Sequence, residues 1–190
     1  MKWANRNDPQ RHLVYRWSGL YLINTDTEHL PINTCNFLTE DIFTKFGMKK
    51  IPQVIHSIGQ KANFYYPKTN IIKLIEPSRN RIVLTHEIAH ALKRRIYKKR
   101  GTSHGPEYIG IWMFLLNKWC NIPIKDLCRT ADYEGVEYIP FNFKLKTRPS
   151  KALCTLGNKN TNCLISKKIP TAAKVYRQDL YPGGYGTFYE

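Results

Sequence analysis

Thr85-His86-Glu87-Ile88-Ala89-His90 sets two imidazoles four residues apart inside a stretch that is otherwise apolar, with Ile82, Val83, Leu84, Ala91 and Leu92 around it. Polar side chains in such a stretch need partners, because burying them unpaired costs free energy. On a helix, residues four apart lean toward one face, ~6 Å apart along the axis. Two ring nitrogens so placed reach one metal ion at ~2.0–2.1 Å. Glu87, next to the first imidazole, is then free to act on a water molecule as general base. Two surface histidines on an amphipathic helix are the plain alternative, and the apolar neighbours speak against it.

A catalytic zinc takes three protein ligands and keeps one position open. His104 is the third candidate ligand. It stands in Ser103-His104-Gly105-Pro106-Glu107, where Pro106 suits a first helical position, Glu107 suits the helix N-terminus, and Gly105 is expected to allow an unusual backbone. Glu107 reads as a helix-start carboxylate or one that supports a ligand, rather than as a ligand itself. The assignment is therefore His86, His90 and His104 for the metal, Zn2+ as cofactor, and Glu87 as catalytic residue.

The rest of the chain frames this segment. Asp8-Pro9 predicts a helix start, with Asp8 as N-cap and an apolar stripe of Leu13, Val14, Trp17, Leu20 and Tyr21. A second helix is expected from Thr39, as cap, to about Phe46, ended by Gly47. Residues 49–75 carry β-formers around a Pro67-Lys68-Thr69-Asn70 turn, which predicts a short antiparallel unit; its Ile71–Ile75 stretch is a candidate sheet edge for an extended substrate. The metal helix is expected from Pro77-Ser78 to about Lys98. Another helix opens at Gly105-Pro106-Glu107, with Ile109, Trp112, Met113, Leu116 and Trp119 at helical spacing, and a last one runs from Pro123 to about Ala131. The fold class is thus α+β. The domain plan is a domain over 1–140 and a basic, irregular extension over 141–190.

HEIAHAL followed by a basic loop and HGPEY resembles the SprT-like metallopeptidase family, which includes Spartan-type DNA–protein crosslink proteases. The likeness spans about Phe64 to Trp119, with Tyr108 where the family usually has Phe. It implies a zincin-like domain with the metal helix beside a short sheet, His86, His90 and His104 as ligands, Glu87 as the catalytic glutamate, and a protein substrate. The chain departs from the family in lacking a CxxC…CxxC zinc ribbon: Cys154 and Cys163 stand apart, and Cys120 and Cys128 read as ordinary thiols.

Charge suggests a further partner. Thirty Lys and Arg against 14 Asp and Glu give a net charge of +16, which attracts polyanions. Lys93, Arg94, Arg95, Lys98, Lys99 and Arg100 crowd the end of the metal helix. Aromatic residues interleave with lysines and arginines after Pro140, a mixture suited to single-stranded DNA. No apolar run is long enough to cross a bilayer. The odd cysteine count without CxxC pairs and the lack of an apolar leader point to a cytoplasmic setting: a host cytoplasm, or a virion if the gene is a phage's. The functional expectation is a zinc endopeptidase acting on DNA-associated proteins. The alternative is a basic nucleic-acid-binding or virion-type protein whose zinc only fixes the fold.

Overall fold

The computed structural model describes residues 8–24, 28–59, 62–98 and 102–146. The chain divides into two units, residues 1–147 and 148–190, and every described residue belongs to the first. Cys154, Cys163 and most of the basic residues expected after Pro140 lie outside the described residues.

The first unit is α+β. Helices α1 (Arg11–Asn24) and α2 (Ile32–Lys45) precede three short strands, β1 (Gln53–His56), β2 (Phe64–Tyr66) and β3 (Ile71–Leu74). Helices α3 (Arg81–Tyr97), α4 (Pro106–Trp119) and α5 (Ile124–Glu134) follow. No helix among the described residues is long and apolar enough to cross a membrane.

Strand order is β1-β3-β2, with β1 parallel and β2 antiparallel to β3. The antiparallel unit expected around the Pro67–Asn70 turn is therefore the β2–β3 pair, the turn closing on Asn70 at φ 56. β3 is the central strand, which removes Ile71–Ile75 as an edge for substrate. Its alternate residues Ile72 and Leu74 are fully buried, while Ile71 and Lys73 on the other face are partly exposed. The two edges differ. On β1, the Asn36 amide of α2 donates to the Val54 carbonyl and accepts from the Val54 N–H, each at 2.8 Å. That side chain blocks β1 against an incoming strand. β2 is the edge that packs beside α3.

Three helix starts differ from the expected ones for local reasons. α2 begins seven residues before Thr39. Thr39 is buried within the helix, its hydroxyl donating to the Cys35 carbonyl at 2.7 Å, the one turn-back bond that lets a threonine sit mid-helix. α3 begins after a single 3-10 turn at Glu76–Ser78, and its cap is Asn80, whose side chain accepts from the Val83 N–H at 2.9 Å. Asp8 does not cap α1; its carboxylate is committed elsewhere.

The core joins all five described helices with β1 and β3. Trp17 and Trp112 meet edge to face at 5.4 Å, and the Trp17 indole N–H donates to the Thr130 hydroxyl at 3.0 Å. Between α5 and residue 146 the described chain runs without regular structure but stays attached. Phe141, Phe143 and Leu145 pack on the core, Phe143 stacking on Phe46 at 4.6 Å. The packed unit thus extends past the expected boundary at 140.

Gly110 marks where this return segment crosses α4. A Cβ there would run into the Ile139 carbonyl oxygen, and the Ile139 N–H is fixed by the Pro106 carbonyl at 3.0 Å. Backbone cannot step aside as a side-chain tip does. Gly110→Ala is therefore expected to destabilise the unit by about 1–3 kcal/mol, despite the better helix propensity of alanine; thermal unfolding measures it.

Candidate metal centre

α3 carries His86, Glu87 and His90 because its face is apolar throughout: Leu84, Ile88, Ala89, Ala91 and Leu92 are buried around them. The turn before α4 brings in His104. Gly105 serves as N-cap with Pro106 at the first helical position, as expected. Its role differs from the expected one. Its φ of −67° is open to any residue, but a Cβ would collide with the Thr102 side chain and lie 3.2 Å from the Glu107 carboxylate. Glycine is there for space, not for dihedral freedom.

The three imidazoles converge. His86 Nε2 lies 3.3 Å from His90 Nε2 and 3.4 Å from His104 Nε2, and the three ligand atoms all fall within 4.8 Å of one another. A tetrahedral ion bonded at ~2.05 Å places its ligand atoms about 3.3–3.4 Å apart. His86 is 9 % exposed and His104 4 %.

Protonation agrees with that geometry. His104 Nδ1 lies 2.6 Å from Asp8 Oδ2, and the His104 backbone N–H donates to Asp8 Oδ1 at 3.2 Å. A carboxylate accepts, so Nδ1 carries the hydrogen and Nε2 presents its lone pair. Three nitrogens facing one point cannot satisfy one another by hydrogen bonds alone; a shared cation satisfies all of them. Burial, first of all, and the neighbouring histidine charges hold His86 and His90 well below the usual imidazole range, which keeps both in the neutral form that binds metals. The residues present fit a metal site, and His86, His90 and His104 form it.

The support around these rings is aromatic. Tyr108, fully buried, stacks on His90 at 4.3 Å, meets His104 edge-on at 5.0 Å, and donates its hydroxyl to the His86 carbonyl at 3.2 Å. Trp112 meets His86 edge to face at 4.8 Å. Gln10 locks the corner from outside, its Nε2 donating to the His104 carbonyl at 3.1 Å and its Oε1 accepting from the Glu137 N–H at 2.6 Å.

Glu87 is not among the converging ligand atoms. It is 5 % exposed, and burial pushes its carboxyl up to about 8, against the opposing hydrogen bond from the Tyr65 backbone N–H. Tyr65 belongs to β2, so the edge strand touches the catalytic candidate directly.

The sequence pattern places neither Asp8 nor Tyr15 at this centre. Asp8 looked like a helix cap, and nothing in the local pattern ties it to a histidine 96 positions on. Tyr15 lies with its ring centroid 6.0 Å from that of His86 and 5.5 Å from that of His104. The one signal for it is that it falls off the buried stripe of Val14 and Trp17. Glu107 takes the helix-start role, its charge acting on Lys93.

The basic run on α3 divides. Lys93 is buried and donates to the Thr102 carbonyl, and Arg95 binds the Lys50 carbonyl and, at 2.6 Å, the Asn70 side chain. Those two cations hold the fold. Arg94 and Lys98 are exposed, and Lys99 and Arg100 lie outside the described residues. Comparison with protein-family models, curated proteins and solved structures returned no match.

Proposed function

We propose that this chain is a zinc-dependent endopeptidase with a zincin-like domain, acting on proteins associated with DNA. One observation carries the reading: three imidazoles converge, with His86 Nε2 at tetrahedral spacing from both His90 Nε2 and His104 Nε2 and all three ligand atoms within 4.8 Å of one another, and a buried carboxylate beside them does not join them. A site that only braced a fold would have no use for that carboxylate, and structural zinc sites usually close with a fourth protein ligand.

Zinc held by His86, His90 and His104 would supply Lewis acidity, both to a peptide carbonyl and to water. The remaining work belongs to the chain. Glu87 takes the proton of the attacking water and passes it to the leaving amine. Burial favours the protonated carboxyl and a bound cation the carboxylate, and a group balanced between the two can both take and return the proton. β2 is the edge left for an extended peptide once β3 is central and β1 is blocked by Asn36.

The DNA part of the reading rests on the net charge of +16, on exposed Arg94 and Lys98, and on the SprT-like signature. Counterion release makes such binding weaken steeply with salt.

The test is to incubate the purified chain with a protein bound to single-stranded DNA and with the same protein free. Both are repeated with a chelator and after zinc is restored. Cleavage that stops on chelation, returns with zinc, and is faster on DNA at low salt is the expected result. A chain that binds one zinc and leaves every such protein intact would instead be a zinc-braced nucleic-acid-binding protein.

A further inference from the structure

Peptide hydrolysis places negative charge on the carbonyl oxygen, and a donor aimed at that oxygen is commonly worth about 10²–10³ in rate. The donors near the three histidines are nearly all committed. The His104 Nδ1–H serves Asp8, and the Tyr65 N–H serves Glu87. Of the tyrosines nearest the motif in sequence, Tyr108 is fully buried and bonds the His86 carbonyl. Tyr65 donates to the Asn70 side chain at 3.3 Å. Tyr66 packs against Phe64 and under the Lys73 ammonium.

Tyr15 differs from all of these. It is 49 % exposed, yet its ring borders two of the three ligand rings, nearly parallel to His86 at 28° and tilted 61° to His104. Tyr15 and half-buried His90 are the exposed parts of this cluster, whereas Tyr108 and Trp112 beside it are buried. The Arg11 guanidinium lies over the Tyr15 ring, 5.7 Å from the centroid. The position of Tyr15 is not left to chance. Asp8 and Gln10, just before α1, are both bonded to His104, so the first turn of α1 is pinned to the metal corner.

We propose that Tyr15 is a catalytic residue of this centre, its phenol donating a hydrogen bond to the peptide carbonyl oxygen as that oxygen becomes anionic. This rests on the peptidase reading above. As the water oxygen bonds to the carbonyl carbon, the C=O π pair moves onto oxygen, where the Tyr15 O–H stabilises it without giving up its proton. The water's proton goes to Glu87 and then to the amine as the C–N bond breaks and the C=O bond re-forms.

Tyr15→Phe keeps the ring packed on the imidazoles and removes only the O–H. With zinc content and melting temperature unchanged, kcat is expected to fall about 10²–10³-fold while KM stays within a few-fold. A phosphinic pseudopeptide built on the mapped cleavage sequence, which presents anionic tetrahedral oxygens, is expected to bind Tyr15→Phe more weakly by a similar factor. The intact peptide is expected to bind Glu87→Gln equally well with Tyr15 or Phe at this position, a readout that needs no turnover. A Tyr15→Phe chain that cleaves within twofold of wild type, or binds the phosphinic peptide equally well, overturns the proposal. So does a Tyr15→Leu chain that loses zinc while Tyr15→Phe remains fully active, since that makes Tyr15 a packing residue. A wild-type chain that cleaves nothing fails earlier, at the peptidase reading, and takes this assignment with it.

Discussion

Glu87→Gln is expected to abolish cleavage, leave zinc bound, and make the metal-free protein more stable at alkaline pH. The first part follows from the proton that glutamine cannot carry, and a drop of about 10³-fold or more is in the range for a group that is both base and acid. The stability effect follows from burial. In the folded, metal-free chain the carboxyl is lifted to about 8 from an ordinary value of 4.5. A folded value raised above the unfolded one means that the native state favours the protonated carboxyl. Its contribution is fully present below pH 4.5 and is lost as pH rises through about 8. One proton changes stability by at most about 1.4 kcal/mol per pH unit, so the metal-free wild type is expected to lose roughly 3–5 kcal/mol across that window. Glutamine has the same shape and no charge to bury, so the variant should show no such loss. Melting temperatures with chelator at pH 5, 7 and 9 read this directly: the two proteins differ little at pH 5, and the variant unfolds higher at pH 9. With zinc bound the difference shrinks, because a nearby cation favours the carboxylate. A variant no more stable than wild type at pH 9 without metal would mean that Glu87 is not buried in this way.

What could be read in advance follows the range over which each feature acts. HExxH is a statement about one helical turn, and α3 places His86 and His90 on one face with Nε2 atoms 3.3 Å apart. Gly105-Pro106-Glu107 is equally local, and α4 starts there. Thr39 misled because threonine before Glu40 and Asp41 resembles a cap. Only the Cys35 carbonyl one turn back shows how its hydroxyl is satisfied inside a longer helix. Strand order is not local at all. The apolar run of Ile71, Ile72, Leu74 and Ile75 was the available sign of a central strand, while the Asn36 amide that occupies the β1 edge comes from another helix. Tyr15 and Asp8 reach the centre through packing of α1 against α3 and α5, which no periodicity within α1 encodes.

Asp8→Ala is expected to weaken zinc binding by about 10–100-fold, the usual cost of removing the group that orients a ligating histidine, without touching any ligand. The carboxylate does three things in the folded chain. It accepts the Nδ1–H of His104 at 2.6 Å, which selects the tautomer whose Nε2 lone pair faces the other imidazoles. It accepts the His104 backbone N–H at 3.2 Å, which sets the turn. It also supplies negative charge beside a site that collects positive charge. Burial works against an ionised Asp8, but the side-chain and backbone hydrogen bonds of His104 and the charges of His104 and Arg11 outweigh it and hold the carboxyl below its usual range. A lowered folded value places that contribution above the unfolded value of 3.8, and it is lost as pH falls through the folded one. Alanine removes the acceptor and leaves two buried N–H groups unpaired, at about 1–3 kcal/mol each. The metal-free variant is therefore also expected to melt lower, and saturating zinc restores only part of the difference. Competition with a chromophoric chelator gives the affinity and melting curves give the stability. Asp8→Asn separates the two roles in part: its single amide oxygen can accept one of the two His104 N–H groups while its NH2 faces the other, so only part of the stability is expected to remain, and the loss of charge weakens the metal. A zinc affinity unchanged by both substitutions would mean that the segment before α1 braces the fold and plays no part in tuning the three imidazoles.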